Sequence, residues 1–68
     1  MEIDFRRDRQ KWIVEVWSNE FNEPYPEDLY QEINQWCIET LKYHARTAYH
    51  IFELRTRKDL EWFVLRWS

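Results

Sequence analysis

The chain contains no glycine among its 68 residues. Average glycine usage is about 7%, so roughly five would be expected at this length. The absence excludes glycine-rich phosphate-binding loops, both the P-loop and the dinucleotide-binding fingerprint. It also forces tight turns to use residues for which a positive φ is unfavourable. The turn-forming residues expected to replace glycine are Asp8, Asn19, Asn22 and Asp59.

Cysteine and long apolar runs are scarce as well. Cys37 is the single cysteine, which excludes an internal disulfide, and no metal-ligand spacing is present. No apolar run approaches the roughly 18–20 residues of a membrane span, and the N-terminal stretch MEIDFRRDRQ lacks a signal-peptide core. The sequence therefore predicts a cytoplasmic protein with no cofactor, no metal and no membrane partner.

What the chain has in quantity is aromatic residues, with five Trp, four Tyr and four Phe making up 19% of it. A chain of this size buries only about 60% of its unfolded surface, so its stability is marginal unless the core is rich. Each aromatic side chain can bury on the order of 150–250 Å². We expect one small domain over residues 1–68, with aromatics enough for a core and a binding surface.

A clear helical period runs through Pro24 to Tyr43. Pro26 in the first turn, followed by Glu27 and Asp28, fits a helix start, because proline loses no hydrogen bond there and acids favour the positive end of the helix dipole. Residues 18–25 before it are predicted to form a loop. The residues that share one third of the helical wheel are Leu29, Ile33, Trp36, Cys37, Thr40 and His44.

The first ten residues and the stretch after them alternate in polarity, which predicts a β-hairpin with strands at 2–6 and 11–17. Pairing Arg6 with Lys11 places the apolar side chains of both strands on one face. The first strand is short and charged, as is typical of an edge strand. The predicted core face of this hairpin consists of Ile3, Phe5, Trp12, Val14 and Val16.

A second hairpin is predicted from residues 47–55 and 60–67, joined at the sequence TRKD with Arg55 opposite Leu60. This register avoids a like-charge pair between glutamates. Its predicted core face consists of Ala48, His50, Phe52, Leu54, Phe63, Leu65 and Trp67. The sequence thus predicts an α+β fold of order ββαββ, in which one helix packs on one face of a four-stranded, mostly antiparallel sheet.

One helix covers only one face of such a sheet, so the other face would be exposed. Exposed apolar patches enriched in Trp, Tyr and Arg are typical of protein interfaces. We expect this outer face to bind a protein partner or to form a homodimer. The predicted contact residues are Trp17, Tyr49, Ile51, Trp62, Val64 and Arg66.

Charge is segregated along the chain. Between Trp12 and Leu41 there are seven acidic residues and no basic one, whereas the two predicted turns are basic. In the ββαββ arrangement the two basic turns lie at opposite ends of the sheet. An acidic helix edge can supply charge complementarity to a basic partner, and its residues would be Glu27, Asp28, Glu32 and Glu39.

Aromatic residues beside arginines also describe a platform for single-stranded nucleic acid, which is the alternative hypothesis. It would use Arg7, Arg9, Arg57 and Lys58 with exposed rings. The net charge of −3 weighs against it.

Catalytic interpretations have less support. Cys37 and His44 share a helical face but lie two turns apart, too far for a direct hydrogen bond. A metal-free ribonuclease site built on His44 and His50 would need arginine partners on the same face, whereas His50 is assigned to the core face. We expect no enzymatic activity.

A short, glycine-free, aromatic-rich chain with a sheet and one helix resembles small phage-encoded proteins that bind and block host machinery. The resemblance is one of size and composition and assigns no role to any residue. It implies an inhibitor or adaptor of phage or mobile-element type. The expected function is therefore a non-enzymatic protein–protein interaction module, with nucleic-acid binding as the alternative.

Overall fold

The computed structural model describes residues 2–17 and 27–68. Its elements are, in chain order, β1 (Glu2–Asp8), β2 (Lys11–Trp17), α1 (Glu27–Leu41), β3 (Arg46–Ala48), β4 (Ile51–Leu54) and α2 (Arg57–Trp67). The fold is α+β with a four-stranded antiparallel sheet, as predicted. The predicted ββαββ order and single helix are wrong, because a second helix ends the chain. The loop predicted at residues 18–25 lies outside the described residues.

The β1–β2 hairpin forms as expected, but its register differs from the predicted one by two residues. Asp8 pairs with Lys11, so Phe5 lies opposite Val14 rather than Trp12. The turn is shorter than predicted because Arg9 adopts a φ of 60°, a conformation that glycine favours. A shift of two residues keeps every side chain on its predicted face.

Helix α1 lies within the predicted helical segment, and its buried residues Tyr30, Ile33 and Cys37 form one stripe. Lys42 ends the helix with a φ of 72°, and its N–H donates to the Cys37 carbonyl at 3.1 Å. Among the described residues, Arg9 and Lys42 are therefore the positive-φ positions. Asp8 and Asp59, which were expected to replace glycine in turns, belong to β1 and α2.

Strands β3 and β4 form a shorter hairpin than predicted, and the sheet order is β1-β2-β4-β3. Phe52 and Leu54 are fully buried, as expected. Ala48 is exposed and His50 lies in the turn between the strands, so their assignment to the core face is wrong. The chain reverses at residues 49–50, before the predicted strand has reached its middle.

The segment predicted as the last strand, residues 60–67, is part of α2. Thr56 caps this helix, since its Oγ1 accepts a hydrogen bond from the Asp59 N–H at 3.1 Å. Leu60, Phe63 and Trp67 are buried at helical spacing. The sequence LEWFVLRW fits both the alternation of a strand and the spacing of a helix. The N-cap at Thr56 favours the helix.

Both helices pack on the same sheet face. The rings of Phe52 in β4 and Phe63 in α2 have centroids 5.5 Å apart, and Trp36 of α1 lies 6.1 Å from Phe63. Tyr30 is fully buried, and its hydroxyl donates to the Val16 carbonyl at 2.8 Å. Within the described residues, neither helix is both long and apolar enough to span a membrane.

Candidate interaction surfaces

An apolar groove of about 560 Å³ runs between β1 and α2, on the helix-bearing side of the sheet. We call it the α2–β1 groove. It is lined by Phe5, Trp12, Leu60, Val64 and Leu65, with Arg57 and Glu61 at its rim. Sequence reasoning missed this surface, because it is formed by two elements that lie far apart in the chain.

The groove exists because the two helices do not cover the edge strand. Phe5 of β1 is 55% exposed and Leu65 of α2 is 85% exposed, although both are large apolar side chains. The Phe5 and Trp12 rings meet edge to face at 6.2 Å, and the Arg7 guanidinium lies 5.0 Å from the Trp12 ring centroid. These ring contacts hold the strand side of the groove in a defined shape.

The predicted outer-face contact residues do not share one surface. Trp17 and Ile51 lie on the open sheet face, opposite the helices, where the Trp17 ring packs 3.9 Å from the His50 ring. Trp62, Val64 and Arg66 belong to α2, so their assignment to the sheet is wrong. Val64 lines the α2–β1 groove, whereas Trp62 is 50% exposed and faces away from the core.

The predicted acidic edge is also divided. Asp28, Glu32 and Glu39 are exposed on α1, with Glu39 accepting from the Gln35 side chain at 3.1 Å. Glu27 instead forms a bidentate ion pair with Arg46, at 2.6 and 2.8 Å. This carboxylate ties α1 to the β3–β4 hairpin.

Arg46 is the centre of a polar clamp at this end of the sheet. It donates to the Ala48 and Tyr49 carbonyls in addition to Glu27. Its guanidinium also lies 5.5 Å from the Tyr30 ring centroid and 5.4 Å from that of Tyr49. Hydrogen bonding to Arg46 lowers the pKa of Glu27. Tyr49, a predicted partner contact, is therefore part of an internal cluster.

The structure brings the two basic segments to one end of the sheet, and the predicted separation is wrong. Trp12 pairs with Leu54, so the segment after β4 lies beside the first turn. The Tyr43 hydroxyl accepts a hydrogen bond from the Arg55 N–H at 3.0 Å, so the residues that follow α1 also lie at this end of the sheet. We call this region the basic end; it carries Arg7, Arg9, Lys11, Lys42, Arg55, Arg57 and Lys58.

Four acidic residues lie among these seven bases, so the basic end keeps an excess of three positive charges. They are Asp8, Glu53, Asp59 and Glu61. Glu53 pairs with Lys11 at 2.6 Å, and Glu61 pairs with Arg57 at 3.6 Å. A depression of about 510 Å³ in this region is lined by Asp8, Arg9, Gln10, Lys11, Ile13 and Glu53.

Tyr43 connects the basic end to the start of α2. Its hydroxyl donates to Asp59 Oδ2 at 2.7 Å, and the Arg55 guanidinium stacks 4.1 Å from its ring centroid. Burial and the hydrogen bond to Asp59 raise the pKa of Tyr43 to about 12. The phenol therefore stays protonated and acts as a structural bridge.

Of the side chains considered for catalysis, Cys37 is buried and His44 is exposed. Cys37 is fully buried, and burial, together with the charge of Asp59, raises the pKa of its thiol to about 12. His44 contacts Asn34, with 3.0 Å between its Nδ1 and the Asn34 amide nitrogen. Within residues 2–17 and 27–68, no group of three or more His, Cys, Asp or Glu side chains is arranged to hold a metal ion.

Comparison of the chain with models of protein families, with curated proteins and with solved structures finds no match.

Proposed function

We propose that this chain is a non-enzymatic protein–protein interaction module that docks a partner protein in the α2–β1 groove. The observation that carries the proposal is the exposure of Phe5 and Leu65 around a preformed apolar groove. Exposed apolar surface that includes aromatic anchors is typical of protein interfaces. An inhibitor or adaptor of phage type is the biological form that we propose for it.

The groove fits an apolar segment of another polypeptide. Its floor is aliphatic and aromatic, while the Arg57–Glu61 ion pair at the rim is largely exposed and free to exchange partners. Interfaces with an apolar centre and a polar rim have this composition. The exposed acids of α1 would add charge complementarity towards a basic region of the same partner; they are Asp28, Glu32 and Glu39.

We expect apolar peptides selected from a random library on the immobilised domain to bind in this groove. Leu65→Glu should weaken their binding at least tenfold, because a charge on the wall would lose its hydration when the groove is filled. Trp62→Ala is the matched control, since Trp62 is an exposed residue of the same helix outside the groove. Binding should be measured by fluorescence anisotropy. Equal losses in the two variants, or no loss in Leu65→Glu, would contradict the groove as the docking surface.

A second candidate function, nucleic-acid binding, is favoured by the single location of the basic end. Arg7, Arg9, Arg57 and Lys58, proposed for this role, lie in one region with an excess of positive charge. Arginines stacked on Trp12 and Tyr43 add aromatic surface. Phosphate contacts from such a region would support binding to single-stranded nucleic acid despite the net charge of −3.

This alternative predicts weak, salt-dependent binding of a labelled single-stranded oligonucleotide. The double substitution Arg9→Glu with Lys58→Glu should reduce binding at low salt severalfold, because both positions would contact phosphates. Arg66→Glu, in the last turn of α2, serves as the control. Absence of binding at low salt, or an equal loss in the Arg66→Glu control, would remove this function.

A further inference from the structure

We infer that the basic end binds the phosphates of single-stranded nucleic acid through Arg9 and Lys42, two residues that the fold holds in an unfavourable backbone conformation. The inference rests on the second candidate function and adds to it, because it names Lys42 as a contact residue and gives the conformation of both residues a role. Arg9 has a φ of 60° and Lys42 a φ of 72°. A positive φ brings the Cβ of any residue other than glycine into unfavourable contact with its own backbone.

The turn at Arg9 is of a kind in which glycine is the favoured residue. Asp8 pairs with Lys11, which leaves Arg9 and Gln10 as a two-residue loop. Of these two, Arg9 alone has a positive φ, which is the pattern of a type II′ turn with glycine at its first position. An arginine at this position therefore lowers the stability of the hairpin. Its side chain forms no ion pair with the described part of the chain that would offset this loss.

Lys42 ends α1 in a conformation that glycine or asparagine commonly adopts at the end of a helix. Asparagine tolerates a positive φ better than lysine and does occur in this chain, for example at Asn34. A lysine beyond the last turn meets the negative end of the helix dipole, which offsets part of the cost. Arg9, in a hairpin, has no such compensation. Both turns thus place a long cationic side chain where a small neutral residue would be more stable.

The side chains of Arg9 and Lys42 are available to an external anion. Both residues are exposed, and neither has an ion-pair partner within residues 2–17 and 27–68. Most of the acidic side chains at the basic end have partners inside the domain. Glu53 pairs with Lys11, Glu61 pairs with Arg57, and Asp59 accepts from the Tyr43 hydroxyl. The excess positive charge of the basic end therefore lies on free side chains.

Aromatic surface beside these cations favours nucleic acid over other polyanions. The Arg7 guanidinium lies 5.0 Å from the Trp12 ring centroid, and the Arg55 guanidinium lies 4.1 Å from that of Tyr43. Bases of single-stranded nucleic acid stack on aromatic rings and on guanidinium planes, while the phosphates contact the neighbouring cations. A polymer of carboxylates would use the charges alone.

The test measures binding and stability of the full chain in the same variants. Binding of labelled oligothymidylate is followed by fluorescence anisotropy at several salt concentrations. Arg9→Gly and Lys42→Gly should each weaken binding severalfold at low salt and reduce the slope of log affinity against log salt by about 0.7, the contribution of one phosphate contact on a single strand. Each variant should also have a higher melting temperature, because glycine adopts a positive φ without strain.

Arg66→Gln, which removes a charge in the last turn of α2, is the matched control and should leave the salt slope unchanged. Glycine variants that are no more stable than the unmodified chain, or labelled polyglutamate that binds as tightly as oligothymidylate, would overturn the inference. If the oligonucleotide binds but neither glycine variant changes the slope, the inference fails while nucleic-acid binding stands with other contacts. If no oligonucleotide binds at low salt, the second candidate function fails as well. Peptide binding in the α2–β1 groove is measured separately and does not depend on either result.

Discussion

Phe63→Ala is expected to remove a large fraction of the free energy of unfolding of the domain. Phe63 is fully buried at the junction of the sheet and both helices, against the rings of Phe52 and Trp36. Removing a buried phenylalanine costs about 3–5 kcal/mol. A domain of 68 residues has a total stability of roughly 3–10 kcal/mol. Urea denaturation followed by circular dichroism measures the difference.

Leu65→Ala is the control that separates helix from strand at this position. In α2 the Leu65 side chain is 85% exposed, so we expect a change within about 0.5 kcal/mol. In the strand predicted from the sequence, Leu65 would share the core face with Phe63. Leu65→Ala would then lower the free energy of unfolding by about 2–5 kcal/mol. A Leu65→Ala variant as unstable as Phe63→Ala would contradict the second helix.

Arg46→Ala should produce the next largest loss, about 2–3 kcal/mol of the free energy of unfolding. Its half-buried guanidinium joins Glu27 of α1 to the carbonyls of the β3–β4 turn through hydrogen bonds of 2.6–3.2 Å. Hydrogen bonds to charged groups contribute about 1.5–3 kcal/mol each when their loss leaves a partner unsatisfied. Arg46→Lys should recover little, because an ammonium group cannot form the bidentate pair.

The Arg46–Glu27 pair also predicts a pH dependence. Arg46 lowers the pKa of Glu27 in the folded state below its ordinary value of 4.5. The unfolded chain therefore binds protons first as pH falls, and the stabilisation is complete above about pH 4.5 and lost as pH drops through the lowered pKa. The stability difference between the unmodified chain and Arg46→Ala should shrink in that acidic range. A difference that stays constant down to the lowest pH at which both fold would contradict the ion pair.

Periodicity predicted the parts of the fold whose two faces differ in polarity. The helical period of α1 placed Ile33 and Cys37 in the core, and strand alternation placed Val14 and Phe52 there; all four are fully buried. The register of the β1–β2 hairpin could not be predicted from periodicity, because a shift of two residues preserves the face of every side chain. The turn at Arg9, which tolerates a positive φ without glycine, decided the register instead.

The last segment was mispredicted because LEWFVLRW satisfies two periods. Alternation places Phe63 and Leu65 on one face, whereas helical spacing groups Leu60, Phe63 and Trp67. The signal that distinguishes them was present: Thr56 stands three residues before Asp59, a spacing typical of a helix N-terminus. The candidate site depends on this distinction. The α2–β1 groove could not be predicted without α2. The basic end depends instead on the chain reversal at residues 49–50, which brings the segment after β4 beside the first turn.

The most direct test of the groove uses the five tryptophans as reporters. Each indole N–H gives its own signal in a ¹⁵N–¹H correlation spectrum, and a library-selected peptide can be titrated into the labelled chain. Trp12 lines the groove, Trp17 lies on the open sheet face and Trp62 on the outer side of α2. We expect the Trp12 signal to shift while those of Trp17 and Trp62 stay in place. A shift of Trp17 with Trp12 unmoved would contradict the groove and return the interface to the open face of the sheet.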